Sequence, residues 1–176
     1  HLEKARAVIP DHPLLDYVSS LVATDPAEEF RFLEKVYTKD KTHFKVLTRL
    51  AKFYDDKGDS KATTLLLAAA NVNPQDTDLR IALAARYQKE GKIDEARQQY
   101  LALIKAVPFH EGALSFLATD AQNRKDKPAE LKYIQAMIKE IKDTKERRAR
   151  EARLLAETNQ LKAAEKAYKN LLERDS

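Results

Sequence analysis

The sequence contains no cysteine, so disulfide bonds and thiolate chemistry are excluded. It has only three glycines and six prolines in 176 residues, which leaves few turns for an all-β fold. No stretch approaches the roughly 18 uninterrupted apolar residues of a transmembrane helix, so the sequence predicts no insertion into a membrane. No signal peptide is visible either.

Abundant alanine and leucine favour helix, and the sequence therefore predicts an all-α protein. Hydrophobic residues make up 43% and charged residues 34%, as expected where apolar and solvated helix faces alternate. The net charge is +4, from 32 basic residues mixed among 28 acidic ones. Such mixing is typical of solvated helix faces and makes a nucleic-acid groove an unfavoured interpretation.

Two groups of residues recur along the chain at an interval of about 34 residues, a length typical of helical-hairpin repeats. The first group, a Leu-Ala pair followed by Tyr and Gly, occurs at Leu50, Ala51, Tyr54 and Gly58 and again at Leu83, Ala84, Tyr87 and Gly91. The second group occurs at Ala62, Leu66, Ala69 and Pro74 and again at Ala96, Tyr100, Leu103 and Pro108. Two helix patterns in each repeat predict a stacked solenoid, whose extended surface suits binding better than catalysis.

This pattern resembles the tetratricopeptide repeat over about 130 residues, and more loosely over the whole chain. It departs from the family at Arg80 and Leu103, and Lys125 and Asn159 replace the turn glycine of the later repeats. The resemblance implies a single domain, 1–176, of about five repeats: an irregular one at 1–41, then 42–75, 76–109, 110–143 and 144–176. It also implies a right-handed superhelix of antiparallel helix pairs whose first helices line a concave, peptide-binding groove.

Local signals predict where helices begin and end. Residues Leu2 to Ile9 look like the end of a helix, and an apolar helix follows from Leu14 to Val22. Asp25 followed by Pro26 is a helix start, whereas Asn73 before Pro74 is a helix end. Ten or eleven helices are expected.

Small residues recur where the two helices of a repeat approach each other, and larger ones fill the space between repeats. The small positions are Ala51, Ala84, Ala118 and Ala152 in first helices and Ala62, Ala96, Ala129 and Ala164 in second helices. The tyrosines Tyr54, Tyr87, Tyr100, Tyr133 and Tyr168 share this register. We therefore expect them inside the stack and not on a base-stacking platform.

The predicted binding site is the set of first-helix residues that project away from the packed Leu-Ala-Tyr face. These are Lys45, Thr48, Lys52, Ile81, Ala85, Gln88, Lys89, Ser115, Thr119, Gln122, Asn123 and Arg153. The amides of Gln122 and Asn123 can bond both N–H and C=O groups of an extended peptide, and basic residues at the ends mildly favour an acidic ligand. An alternative is that this groove stays empty and that repeats outside the fragment bind the partner.

One subgroup of the resembled family grips acidic chaperone C-termini with Lys, Asn and Arg at fixed groove positions. The corresponding positions here do not supply that clamp, since they hold Thr48, Lys52, Ala82 and Phe116. The chaperone-clamp interpretation is therefore rejected.

Nothing in the sequence predicts catalysis, a metal site, a cofactor or a small-molecule substrate. The histidines His1, His12, His43 and His110 are isolated and lack the spacing of metal ligands. Phosphate loops, nucleophile elbows and zinc-helix motifs are absent from the sequence. The basic run 139–153 contains interspersed acids and is interpreted as a solvated face with i,i+4 pairing. Partner binding is the first alternative, and binding of nucleic acid or lipid is the second.

The leading hypothesis is a non-catalytic scaffold or adaptor that binds a peptide or helix of a partner protein, with bacterial envelope, secretion or assembly complexes as one setting. The alternative is an RNA-binding, pentatricopeptide-like repeat protein. The chain begins with His1 inside a helical pattern, and we expect it to be a fragment of a longer protein. Its compartment, cytoplasm or bacterial periplasm, is left open.

The small-residue positions generate the first testable prediction. Ala96→Leu should lower the free energy of unfolding by about 1–3 kcal/mol, because it overpacks a close helix contact. Lys142→Ala, on a solvated face, should change it by less than about 0.5 kcal/mol. Urea unfolding followed by circular dichroism measures both, and equal effects would show that the predicted register is wrong.

Overall fold

The computed structural model describes residue 4 and residues 7–173, and every complete element in that part of the chain is a helix. The helices are α1 (Pro13–Val22), α2 (Pro26–Lys39), α3 (Phe44–Asp56), α4 (Lys61–Val72), α5 (Thr77–Lys89), α6 (Ile93–Ala106), α7 (Glu111–Asn123), α8 (Lys127–Glu140), α9 (Lys145–Glu157) and α10 (Leu161–Glu173). The predicted all-α fold is confirmed. The helix end predicted at Leu2 to Ile9 lies largely outside the described residues, although Ala7 and Val8 are helical.

The chain divides into two compact units, His1–Arg86 and Tyr87–Ser176, so that the division falls inside α5. In the first unit α2 packs against α1 and α3, and α3 packs against α4. In the second unit consecutive helices pack in order from α6 to α10. The repeat boundaries proposed from the sequence stay a prediction, as does the single-domain organisation.

Side chains at the helix starts bond backbone N–H groups that lack a partner within the helix. Asp25 caps α2 as predicted, accepting a hydrogen bond from the N–H of Ala27. Histidine does the same elsewhere: Nδ1 of His43 accepts from Val46 (3.4 Å), and Nδ1 of His110 accepts from Ala113 (3.1 Å). These histidines therefore have a structural role.

The turns between paired helices require a left-handed backbone at one residue. Gly58 and Gly91 adopt φ values of 70° and 71°, a region that glycine enters without steric cost. Lys125 and Asn159, which replace glycine in the later turns, adopt φ values of 59° and 62°. The turn geometry is thus the same with and without glycine, and Lys125 is held in an unfavourable conformation.

The small residues predicted at helix contacts are buried, except that Ala129 is only partly buried. The cluster between α7, α8, α9 and α10 contains Leu114, Met137, Leu154 and Ala164. Tyr87 and Tyr100 are buried, and Tyr54 and Tyr133 partly buried, as expected for core residues. The prediction for Tyr168 is wrong: this residue is exposed on α10, because no described helix packs over its side of the stack.

A polar side chain near the start of a second helix bonds an arginine or aspartate on the next first helix, and this contact recurs along the chain. The contacts join Glu29 to Arg49, Thr63 to Arg86, Arg97 to Asp120, and Glu130 to Arg150. The partner lies either 20 or 23 residues further on, a difference of about one helical turn. We call these contacts the interhelical polar ladder.

Asp120 is a member of the ladder that is almost fully buried. Its carboxylate accepts bonds from Nε and Nη2 of Arg97 at 2.6 and 2.8 Å and from Nε of Arg124 at 3.0 Å. The bonds from Arg97 and then from Arg124 hold the pKa of Asp120 below its usual value, although burial acts in the opposite direction. The contact therefore favours the ionised form of Asp120.

The turn geometry predicts that Lys125→Gly stabilises the protein by up to about 1 kcal/mol. Relief of the left-handed strain, about 1–2 kcal/mol, is partly offset by the greater entropy of glycine in the unfolded chain. Asn159→Gly should change stability little, since asparagine tolerates this region. Gly91→Ala should destabilise by about 1 kcal/mol through backbone strain alone, because no atom lies within 4 Å of the added Cβ. Thermal unfolding of the three variants tests the ranking.

Asp120→Asn should destabilise the protein by about 3 kcal/mol, because it leaves the guanidinium of Arg97 without its buried carboxylate. Asp94→Asn is the matched control: Asp94 pairs with the same arginine but is mostly exposed, so its loss should cost less than about 1 kcal/mol.

The pH dependence of this difference follows from the lowered pKa of Asp120. The charged carboxylate stabilises the fold fully above the ordinary value of 3.8, and its contribution disappears as pH falls through the lower folded-state pKa. Parent and Asp120→Asn should thus converge in stability below pH 3.8. A difference that stays constant on acidification would contradict the assignment.

Candidate functional site

In the first unit, the predicted groove residues of α3 lie on the side of the helix opposite the core. Lys45 and Lys52 are exposed, whereas Leu47 and Leu50 are buried. Thr48 is half-buried, and its hydroxyl donates to the carbonyl oxygen of Lys45 at 3.2 Å. This part of the site therefore presents two ammonium groups to solvent.

The predicted residues of α5 fall on both sides of the division between the units. Ile81 and Ala85, in the first unit, are half-buried. Gln88 and Lys89, in the second unit, are exposed. The phenol of Tyr100 donates to Oε1 of Gln88 at 2.7 Å. Gln88 thus uses its amide oxygen within the fold and keeps its NH₂ group for a ligand.

Helix α7 carries the polar centre of the predicted site. Ser115 is half-buried and donates to Sδ of Met137 at 3.4 Å, and the hydroxyl of Thr119 donates to the carbonyl oxygen of Ser115 at 3.0 Å. Gln122 and Asn123 are exposed at the end of the helix, and neither side chain has a partner among the described residues. The two amides retain their full capacity to bond a ligand.

Arg153 on α9 is exposed and likewise has no ion-pair partner in the described part of the chain. The other arginines of the basic run are bonded within the chain. Arg147 donates to Glu111 of α7 at 2.5 Å, Arg148 bonds Asp143 and Glu151, and Arg150 belongs to the polar ladder. The run was expected to pair at i,i+4 spacing. Arg148 instead bonds acids five residues before it and three residues after it. Arg147 and Arg150 bond acids of other helices, which helix packing brings close.

Sequence reasoning missed a cleft of about 640 Å³ between α8, α9 and α10. Its lining includes the apolar side chains of Leu155, Ala163, Ala167 and Leu171. No residue of the predicted site lines it, because the projection considered first helices only and much of the lining belongs to α10. A similar projection of second-helix residues could have found it.

The described residues include no helix that is long and apolar enough to cross a membrane. Nor does this part of the chain bring together three or more His, Cys, Asp or Glu side chains that could hold a metal ion.

No protein-family model matches the sequence, and no curated protein matches it. Solved structures do resemble it. A MamA crystal structure superposes with a TM-score of 0.63 at 14% identity, covering 93% of this chain and 91% of that one. The structure of MamA AMB-1 superposes with a TM-score of 0.64 at 18% identity, covering 85% of this chain and 82% of that one. The structure of MamA from residue 41 to the end, from Desulfovibrio magneticus RS-1, superposes with a TM-score of 0.59 at 16% identity. It covers 92% of this chain and 93% of that one.

The shared feature is the fold. MamA structures are solenoids of tetratricopeptide-like helix pairs, and the predicted fold class is confirmed by this similarity together with the all-helical structure. At identities of 14–18% the similarity carries no residue-level assignment to this chain.

Proposed function

We propose that this protein is a non-catalytic scaffold that binds a peptide or helix of a partner protein along its first helices. The observation that carries the proposal is the amide pair Gln122 and Asn123. Both side chains are exposed at the end of a helix whose other face is buried, and neither is bonded within the described structure. The fold shared with MamA structures supports the proposal, since stacked helix pairs present extended surfaces.

The chemistry of this surface suits the backbone of an extended segment. Each carboxamide supplies two donors and an acceptor, so the pair can bond N–H and C=O groups without selecting a side chain. The NH₂ group of Gln88 adds a donor on the same unit. Specificity would then come from surrounding residues.

The exposed cations give the site a mild preference for acidic ligands. Lys45 and Lys52 on α3, and Arg153 on α9, are the cations of the predicted site with neither an ion pair nor a hydrogen bond from their charged groups among the described residues. Since they are few and exposed, salt should weaken binding only modestly. Membership of a bacterial envelope, secretion or assembly complex is the setting we propose, with a protein partner.

RNA binding is the less favoured function. Base stacking needs exposed aromatic rings, whereas Tyr87 and Tyr100 are buried in the second unit. The arginines of the basic run mostly bond acids of the same chain. A salt-dependent mobility shift with single-stranded RNA at sub-micromolar protein would reverse this order.

The proposal is tested by selecting short peptides from a displayed library on the protein. Enriched peptides should bind the double variant Gln122→Ala, Asn123→Ala more weakly by about 1–3 kcal/mol, because the ligand loses bonds to both amides. Calorimetry measures the affinity, and circular dichroism checks that the variant is folded.

Lys132→Ala on α8 is the control, since Lys132 is exposed on a second helix outside the predicted site. It should leave peptide affinity unchanged. If the double variant binds the selected peptides as tightly as the parent does, the first-helix surface is not the binding site.

A further inference from the structure

The cleft between α8, α9 and α10 lies wholly within the second unit. Gln135 of α8 lies on one side of it, Leu155 belongs to its α9 surface, and α10 supplies much of the rest. Helix α9 packs against both of the other helices. Tyr168 and Leu172, which are exposed on α10, do not line the cleft. It is therefore a recess between three packed helices and not the bare face of the last one.

The apolar part of the cleft is built from small and medium-sized side chains. Leu155 is 5% exposed and belongs to the buried cluster of this unit. Ala167 and Leu171 are half-buried, and Ala163 is exposed. Side chains this small leave the space between the helices unfilled, so an apolar ligand finds a surface to lie on.

The polar groups on the α8 and α9 side of the cleft are bonded to one another. Nε2 of Gln135 donates to one carboxylate oxygen of Glu151 at 3.2 Å, and Nη1 of Arg148 donates to the other at 3.2 Å. The remaining nitrogens of Arg148 donate to Asp143 at 2.9 and 3.1 Å. This side therefore presents no charge that lacks a counter-charge.

The α10 side of the cleft differs, because two of its polar side chains have no partner. Lys166 and Asn170 lie one helical turn apart on the same side of the helix, and both line the cleft. Neither side chain has a hydrogen bond or an ion pair among the described residues, whereas Glu173, further along the lining, interacts with another group of the protein. An ammonium and a carboxamide NH₂ group are both donors, and together they complement a carboxylate.

The size of the cleft decides between a small molecule and a helix as its occupant. An α-helix with its side chains is about 10–12 Å across, and a cylinder of that width holding 640 Å³ is only about 6–8 Å long. That length is little more than one helical turn. Sites for small molecules occupy about 300–1,000 Å³, and this cleft falls within that range.

We propose that the cleft binds an aliphatic monocarboxylate, the chemistry of a medium-chain fatty acid, as a ligand and not as a substrate. The alkyl chain lies on Leu155, Ala167 and Leu171, and the carboxylate accepts hydrogen bonds from Nζ of Lys166 and Nδ2 of Asn170. The site is separate from the first-helix surface and independent of the function proposed above.

Sodium octanoate is the probe, titrated into the full, ¹⁵N-labelled chain and followed by NMR. Amide signals of α9 and α10 around the cleft should shift and saturate. Octan-1-ol has a similar chain without the charge, and acetate has the charge without the chain. Each should bind about fivefold or more weakly than octanoate, because each loses one of the two contacts. Equal affinity for octanol and octanoate would overturn the proposal.

Variants of the lining identify the site. Lys166→Gln should weaken octanoate binding about fivefold or more, through loss of the charge-assisted bond. Lys166→Glu should abolish it and favour octylammonium instead. Ala163→Phe should block the cleft, and folding, checked by circular dichroism, should be unaffected because Ala163 is exposed.

Lys162→Gln is the matched control, since it removes the same charge one turn earlier on α10, at an exposed lysine outside the lining. It should leave octanoate binding unchanged. Absence of saturable shifts, shifts confined to another surface, or equal weakening by Lys162→Gln and Lys166→Gln would each overturn the proposal. The Gln122→Ala, Asn123→Ala variant should bind octanoate normally, which separates this test from that of the first-helix site.

Discussion

The close approach of paired helices is the constraint on which the rest of the structure depends. Two helices can approach this closely only where a small side chain faces the contact, and buried alanines lie in both helices of a pair, such as Ala51 and Ala62 in α3 and α4 and Ala152 and Ala164 in α9 and α10. Each pair still leaves one apolar face bare, and only a neighbouring pair can cover it. Each further repeat therefore adds another copy of the same contact between helix pairs.

Polar contacts between consecutive pairs supplement this packing. The ladder includes Glu29–Arg49 and Glu130–Arg150, each of which joins a second helix to the next first helix. A buried ion pair adds little net stability, but it penalises every arrangement that separates its members. Alanines such as Ala62 allow the helices to approach closely, and Leu103 and Leu154 supply buried apolar surface.

The described residues divide into those whose polar groups are used within the fold and those whose groups remain available. Ser115, Thr119, Arg147, Arg148 and Arg150 belong to the first class. Gln122 and Asn123 belong to the second. Burial alone does not make this distinction, because Thr119 is exposed and yet bonds its own helix. The binding proposal rests on available hydrogen-bonding groups.

The sequence by itself determined the fold class, the positions of the turns and most of the core. It could do so because helix periodicity, glycine at Gly58 and Gly91, and proline at Pro74 act through local backbone sterics, which neighbouring residues alone decide. Only the tertiary structure decided which charges are paired between helices, that Tyr168 is exposed, and that a cleft lies beside α10. These features join residues 20 or more positions apart or depend on which helix covers which face, and no local pattern carries that information.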